Sequence, residues 1–166
     1  GSVFQMFSHG IMTGLLFALV GLVYEKAHTR DILKMGGFGK RMPGIATFFT
    51  IGGLTSLGLP GLSGFVAEFQ VFLGAWRSHH KWWLIPAVLG AFITAVYVLR
   101  VLKIIFWGPF KEEDYPHLED GKGPEWVALT ILSGVIILLG FIPFILLKPI
   151  DVSVISLLQR IGGILP

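Results

Sequence analysis

Long apolar runs separated by short charged loops organise this chain. Val3–Tyr24, Trp82–Trp107 and a run from about Trp126 to Leu147 are each nearly free of charge. At ~1.5 Å per residue each is long enough to cross the ~30 Å hydrocarbon core of a bilayer as a helix. The remaining apolar stretch, Met42–Trp76, would measure ~51 Å as one straight helix, too long for one comfortable crossing. It is interrupted by the sequence LGLPGLSG, in which Gly58, Pro60, Gly61 and Gly64 cluster. Proline removes a backbone donor and glycine adds freedom, so the helix is expected to break near 58–64. The broken stretch is either one discontinuous crossing or two short crossings joined by a hairpin.

Loop charge favours the single crossing. Basic residues accumulate on the cytoplasmic side of membrane proteins. One crossing places Lys26, Arg30, Lys34, Lys40 and Arg41 inside and the poorer Arg77/Lys81 loop outside. It then returns Arg100, Lys103, Lys111 and Lys122 to the inside and leaves Lys148 and Arg160 outside. Two crossings would reverse the richer and poorer loops in the second half. The expected fold is therefore all-α and integral to the membrane, with four spans at about 3–24, 43–76, 82–107 and 126–147. Trp82, Trp83 and Trp107 mark the ends of the third span, because indoles favour headgroup depth. Pro143 is expected to bend the last turn of the fourth. KEEDYPHLEDGK reads as a solvated inner loop, and 150–161 as a short amphipathic helix on the outer surface.

Composition agrees with that pattern. Hydrophobic residues make up 54% of the 166 and charged residues 14%, against ~25% charged in ordinary soluble domains. The formal net charge of +3 comes from loops, and no interleaved basic and aromatic stripe suggests nucleic-acid binding. With no cysteine, disulfides, thiolate iron–sulfur ligation and cysteine nucleophiles are excluded. No basic segment precedes the first apolar run, so no cleavable signal peptide is read there. The abrupt apolar start suggests a piece of a longer chain.

Candidate chemistry concentrates in two places. Glu68 is the only acidic residue inside any apolar run. A carboxylate at membrane depth is costly unless protonated, hydrated or paired, which points to proton handling. The structural alternative is a helix cap, with Ser63 capping the second half-helix. The acidic member of a capping box would then fall at Val66, and Glu68 lies beyond it. On the first span Gln5, His9 and Thr13 recur every four residues and form one polar stripe. His9 is either a hydrogen-bonded packing residue or a relay that passes a proton between its two nitrogens. Gly10, Gly14 and Ala18 form a small-residue face suited to close helix approach. Arg100 and Lys103 read as snorkelling anchors rather than relay groups, and His28 as an interfacial structural residue. His79 and His80 read as solvated, with too few neighbouring ligands for a metal site, and His117 has no distinguishing context.

Two motifs in order, SHGIMTGLLFALVGLVYEKAHTR and LGLPGLSGFVAEFQVFLGAW, give the chain a family likeness. It resembles the antiporter-like membrane subunits of proton-pumping NADH:quinone oxidoreductase (complex I), nearest to the M-type subunit, over essentially its whole length. The resemblance implies a C-terminal fragment holding the last spans of a larger bundle. By position, Glu68 matches the ionisable residue on the family's broken span, assigned to the outward proton exit. His9 matches a histidine on the polar axis along the membrane midplane, and Pro60–Gly64 matches the helix break. The implied function is proton translocation driven by electron transfer elsewhere. NADH, FMN, iron–sulfur clusters and quinone would belong to partner subunits, with no cofactor or metal in this chain. Implied partners are the other membrane subunits, including paralogous antiporter-like ones, the lipid bilayer and protons. The implied location is a bacterial inner membrane or an equivalent energy-transducing membrane. Two alternatives are a multisubunit cation/proton antiporter (Mrp-type) or membrane hydrogenase subunit, and a non-transporting assembly scaffold.

Overall fold

The structure is a computed structural model that describes residues 1–110 and 112–162. Lys111, one of the loop cations used to orient the spans, lies outside the described residues. Among those described, only helices and turns occur: α1 (Ser2–Ala27), α2 (Pro43–Ser56), α3 (Ser63–Arg77), α4 (Leu84–Phe106), α5 (Pro124–Phe141) and α6 (Phe144–Gly162). Among the described residues three stretches are long and apolar enough to cross a membrane: Ser2–Ala27, Lys81–Phe106 and Pro124–Phe141. The last-but-one includes a short 3-10 turn, Lys81–Trp83, that leads into α4.

Helix α1 is the central post. Phe4, Ser8, Met12, Leu15, Leu19, Val23 and Ala27 are its buried positions, spaced three or four apart so that they fall on one stripe. Against this stripe lie α2, α3 and α5. The order of neighbours is informative: Gly52 lies against Leu15 and Leu16, Ser63 against Ser8, and Gln70–Val71 against Gly1. Moving along α2 and then α3 therefore means moving steadily back down α1.

Glycines set the closest approaches. A Cβ at Gly52 would come within 2.8 Å of Leu16 Cδ2, and one at Gly53 within 3.1 Å of both Val98 and Leu102. These bare positions let α2 slot between α1 and α4. The expected small-residue face behaves differently. Gly10 and Gly14 have open space where a Cβ would stand, so among the described residues no helix covers them.

The apolar core has two parts. The larger gathers Leu15 and Leu19 of α1, Ile45 of α2, Leu102 and Phe106 of α4, and Leu129 and Ile136 of α5. The smaller joins Phe4, Ala67 and Leu139. Phe38, fully buried between the loops, meets Tyr115 edge-on with ring centroids 4.9 Å apart. Its burial contributes on the order of 1.5–3 kcal/mol.

Among its described residues the 108–123 loop is largely exposed, as expected of a solvated connection, but a few of its side chains tie it to the rest of the fold. Leu118 is buried, Tyr115 packs on Phe38 and its hydroxyl donates to the Lys34 carbonyl at 3.2 Å. Asp120 accepts from the backbone N–H groups of Gly44 (2.7 Å) and Ile45 (3.1 Å), capping α2 from a distant part of the chain. Two of its carboxylates form ion pairs, Glu112 with Arg41 and Glu119 with Lys122, and next to the loop Lys26 of α1 meets Glu125 of α5 at 3.6 Å. The Lys122 ammonium holds the exposed Glu119 carboxyl below its ordinary range.

Helix boundaries differ from the sequence expectation at the C-terminal end. The helix expected to continue to Leu147 stops at Phe141, and the next begins at Phe144 rather than near residue 150. A residue before proline is pushed out of the helical region, and Ile142, before Pro143, has φ −125° and ψ 60°. Pro143 then opens α6, its carbonyl accepting from Leu146 and Leu147, so the proline separates two helices instead of bending one. At the other end α1 continues three residues past Tyr24 to Ala27. There His28 closes it in the left-handed conformation (φ 51°), its N–H bonded to the Tyr24 carbonyl at 2.8 Å.

Candidate functional site

The interval 57–62 separates α2 from α3, and its backbone is largely accounted for. The Gly58 N–H donates to the Thr55 carbonyl (3.2 Å), Leu59 to Leu54 (3.0 Å) and Leu62 to Leu59 (3.1 Å). Gly58 and Gly61 have φ values of 68° and 96°, which an L side chain adopts only with strain. The last hydroxyls of α2 turn back onto its own carbonyls, Thr55 to Ile51 at 2.7 Å and Ser56 to Gly53 at 2.8 Å. At membrane depth such internal pairing is what permits an interrupted helix.

Two other close approaches brace this interval. A Cβ at Gly64 would collide with the Thr55 carbonyl oxygen, so the end of α2 sits directly on the start of α3. A Cβ at Gly140 would collide with the Gly61 carbonyl, so α5 presses against the turn from the other side. Ser63 does not cap α3. Its hydroxyl instead shares a buried 2.7 Å hydrogen bond with Ser8 of α1. Leu62 holds the cap position and provides no side-chain bond.

Next to this interval is a cavity of about 210 Å3 lined by Gln5, Ser8, His9 and Met12 of α1, Thr55 and Ser56 of α2, Gly64 and Glu68 of α3, and Thr94 and Tyr97 of α4. At ~30 Å3 per molecule in the liquid, the volume has room for several waters. Glu68 is half-buried, and its carboxylate lies where a side chain at Gly58 would otherwise be. Gln5 presents a buried carbonyl oxygen, Oε1, without a hydrogen-bond partner. Buried amides rarely remain unpaired, and a water in the adjoining cavity would satisfy it.

The four-residue stripe on α1 is divided by this geometry. Gln5 and His9 reach the cavity, whereas Thr13 does not and instead meets the His9 Nδ1 at 3.3 Å. His9 is exposed at the cavity edge, and Glu68 lies across the same space without bonding to it directly. Of the expected helix-break residues, Gly58 and Gly61 have the unusual backbone, Gly64 makes the close contact, and Pro60 is exposed between them.

Six lining residues escaped sequence reasoning: the apolar Met12 and the polar Ser8, Thr55, Ser56, Thr94 and Tyr97. Thr94 and Tyr97 are polar positions one turn apart in an otherwise apolar run, and that spacing was their available signal. Ser8 neighbours His9 but projects from an adjacent face, so the four-residue periodicity passed over it. Arg100 and Lys103 are away from the cavity, beside a different groove. His79, His80 and His117 are exposed. Among the described residues no three His, Cys, Asp or Glu side chains gather in a way that could hold a metal ion.

Residues 1–94 match the family described as "NADH:quinone oxidoreductase/Mrp antiporter, TM". NADH-quinone oxidoreductase subunit M of Rickettsia felis is 40% identical over 160 residues, covering 96% of this chain and 32% of that protein. NAD(P)H-quinone oxidoreductase chain 4-2 of Nostoc sp. is 39% identical over 174 residues, covering 100% of this chain and 33% of that protein. The chain thus spans about a third of the length of the curated relatives it matches. Among solved structures, respiratory complex I from Thermus thermophilus with bound NADH contains a chain that superposes with a TM-score of 0.77 at 33% identity. That likeness covers 84% of this chain and 29% of the other. With apolar helices long enough to span a bilayer and a family match over more than half its length, the chain is an integral membrane protein of the NADH:quinone oxidoreductase/Mrp antiporter transmembrane family.

Proposed function

We propose that this chain forms part of a proton-translocating membrane subunit of an NADH:quinone oxidoreductase, and that Glu68 and His9 carry the proton. The observation that carries this reading is their position on one polar cavity beside the interval between α2 and α3. Protons would move through water held by Gln5, Ser56, Thr94 and Tyr97, reach the Glu68 carboxylate and leave toward the outer face. Its exposed position makes His9 the side from which the rest of a longer protein would supply the proton. Oxidation of NADH and reduction of quinone are assigned to other subunits, which provide the driving force. The relatives' names and the likeness to a complex I chain support this reading over the antiporter alternative.

The topology goes with it. We place α2 and α3 together as one discontinuous crossing between α1 and α4, giving four spans with α5 as the last. The steady order of α2 and α3 residues along α1 supports one passage, since a hairpin would retrace the same part of α1. Neither half alone reaches the ~20 residues that a crossing needs. The α6 helix, with Val152, Ile155 and Leu158 exposed on it, fits an outer surface position. The bacterial relatives support an inner-membrane location, and the reading places paralogous antiporter-like subunits beside the chain.

The test is Glu68→Gln in the assembled, reconstituted complex, with assembly and electron transfer measured alongside pumping. Gln keeps the shape but does not exchange a proton. Intact assembly with reduced pumping is the expected result. Unchanged pumping would remove Glu68 from the route, and failed assembly would favour a scaffold role. Pumping that follows sodium rather than protons would transfer the chain to the antiporter branch.

A further inference from the structure

A second feature lies at the opposite end of α4 from Trp82 and does not involve the cavity. Arg100 and Lys103, one turn apart, line an open groove of about 520 Å3 together with Leu33, Met35, Ile104 and Pro109. No carboxylate lines it, and among the described residues neither cation forms an ion pair. The exposed indole of Trp107 ends the same helix. Arg100 and Lys103 precede it by about two turns and one turn, within snorkelling reach of the headgroup layer. A narrower apolar slot of about 180 Å3 adjoins the groove through Met35, with Val101 and Ile105 on its wall and Arg30 at its rim.

We propose that this groove binds an anionic phospholipid, its phosphate held by Arg100 and Lys103 and an acyl chain lying along Leu33, Ile104 and Pro109. Charge decides the occupant. Two cations one turn apart at headgroup depth, with apolar walls and no carboxylate among the lining residues, match a phosphate joined to a hydrocarbon chain; the nearby Asp31 carboxylate is already taken by the Leu33 backbone N–H at 3.0 Å. Arg adds a planar fork suited to two phosphate oxygens. An acidic segment of a neighbouring subunit would satisfy the charges but would leave the apolar walls and the adjoining slot unmatched. The site is independent of proton transfer.

The test uses native membranes containing the full-length protein in its complex, exposed to a photoactivatable phosphatidylglycerol and, separately, to the phosphatidylcholine analogue. Labelling is mapped by peptide mass spectrometry. The expected result is labelling within 33–36 and 104–109, stronger for phosphatidylglycerol by about tenfold, because two basic side chains at a membrane surface act together. Arg100→Gln/Lys103→Gln should abolish that preference, and Arg100→Lys/Lys103→Arg should keep most of it. The wild-type comparison of the two lipids decides the matter even if the neutral variant fails to assemble. Equal labelling by both lipids, or a groove covered by another subunit and unlabelled, would overturn the proposal.

Discussion

The Glu68 carboxylate occupies the space that a side chain at Gly58 would need, so one glycine both turns the chain and makes room for the acid. Gly58 has a left-handed φ of 68°, and Gly61, three residues later, has 96°. A Cβ at Gly61 would meet only the Phe141 ring, at 3.5 Å. The pair therefore separates backbone strain from displacement of the acid. Both Gly58→Ala and Gly61→Ala should lower stability by about 1–2 kcal/mol through strain. Only Gly58→Ala should also reduce pumping severalfold in the assembled complex. Equal pumping by the two variants would mean that the carboxylate's seat is unimportant.

Ser8 and Ser63 tie α1 to α3 through hydroxyls buried on both sides. Removing one leaves the other unpaired, at a cost of about 1–3 kcal/mol. Ser8→Ala/Ser63→Ala should cost less than the sum of the single changes. Measured interhelical bonds in membrane proteins average about 0.6 kcal/mol, so a coupling energy near that size is expected. A double-mutant cycle on detergent-solubilised protein, read by thermal or denaturant unfolding, measures it. Strict additivity would show that the bond contributes nothing.

Gly140 and Gly134 lie on α5, and only the first faces a neighbour. Gly140→Ala would force α5 away from the Gly61 carbonyl and should destabilise by about 1–3 kcal/mol. Gly134→Ala has open space and should be neutral or gain up to about 1 kcal/mol from helix propensity. Unfolding midpoints of the two variants compare them directly, and similar midpoints would mean that α5 does not brace the turn.

Asp120 caps α2 from the loop after α4. Asp120→Ala should cost about 1 kcal/mol and speed amide exchange at Gly44 and Ile45, while Asp120→Asn should retain part of the cap. Hydrogen–deuterium exchange over residues 43–47 reads this locally. Unchanged exchange in Asp120→Ala would show that other groups hold the start of α2.

Several features were legible along the chain because they depend on neighbours in sequence. The interruption at 58–64 follows from what proline and glycine do to a local hydrogen-bonded turn, and the structure has helix ends at Ser56 and Ser63. Glu68 stands out because charge is costly among apolar residues whatever surrounds them. Pro143 also acts locally, yet it separates two helices where the sequence pattern leads to a bend. Its effect on Ile142 ends a helix when the following residues can start another, and sequence pattern alone did not distinguish a bend from a restart.

What required the tertiary structure was every relationship across the fold. Ser63 could have capped its own helix, but Ser8 stands within 2.7 Å and takes the hydroxyl. Asp120 looked solvated until α2 presented two free N–H groups to it. Thr94 and Tyr97 became cavity residues because Gly53 lets α4 approach α2. Apolar periodicity, helix-breaking residues and isolated charge are local properties, so the sequence by itself determined a membrane helix protein with an acid beside a break. Partners for polar groups are set by which helices can approach closely. Only packing decided that Glu68 shares a space with His9 and rests against Gly58.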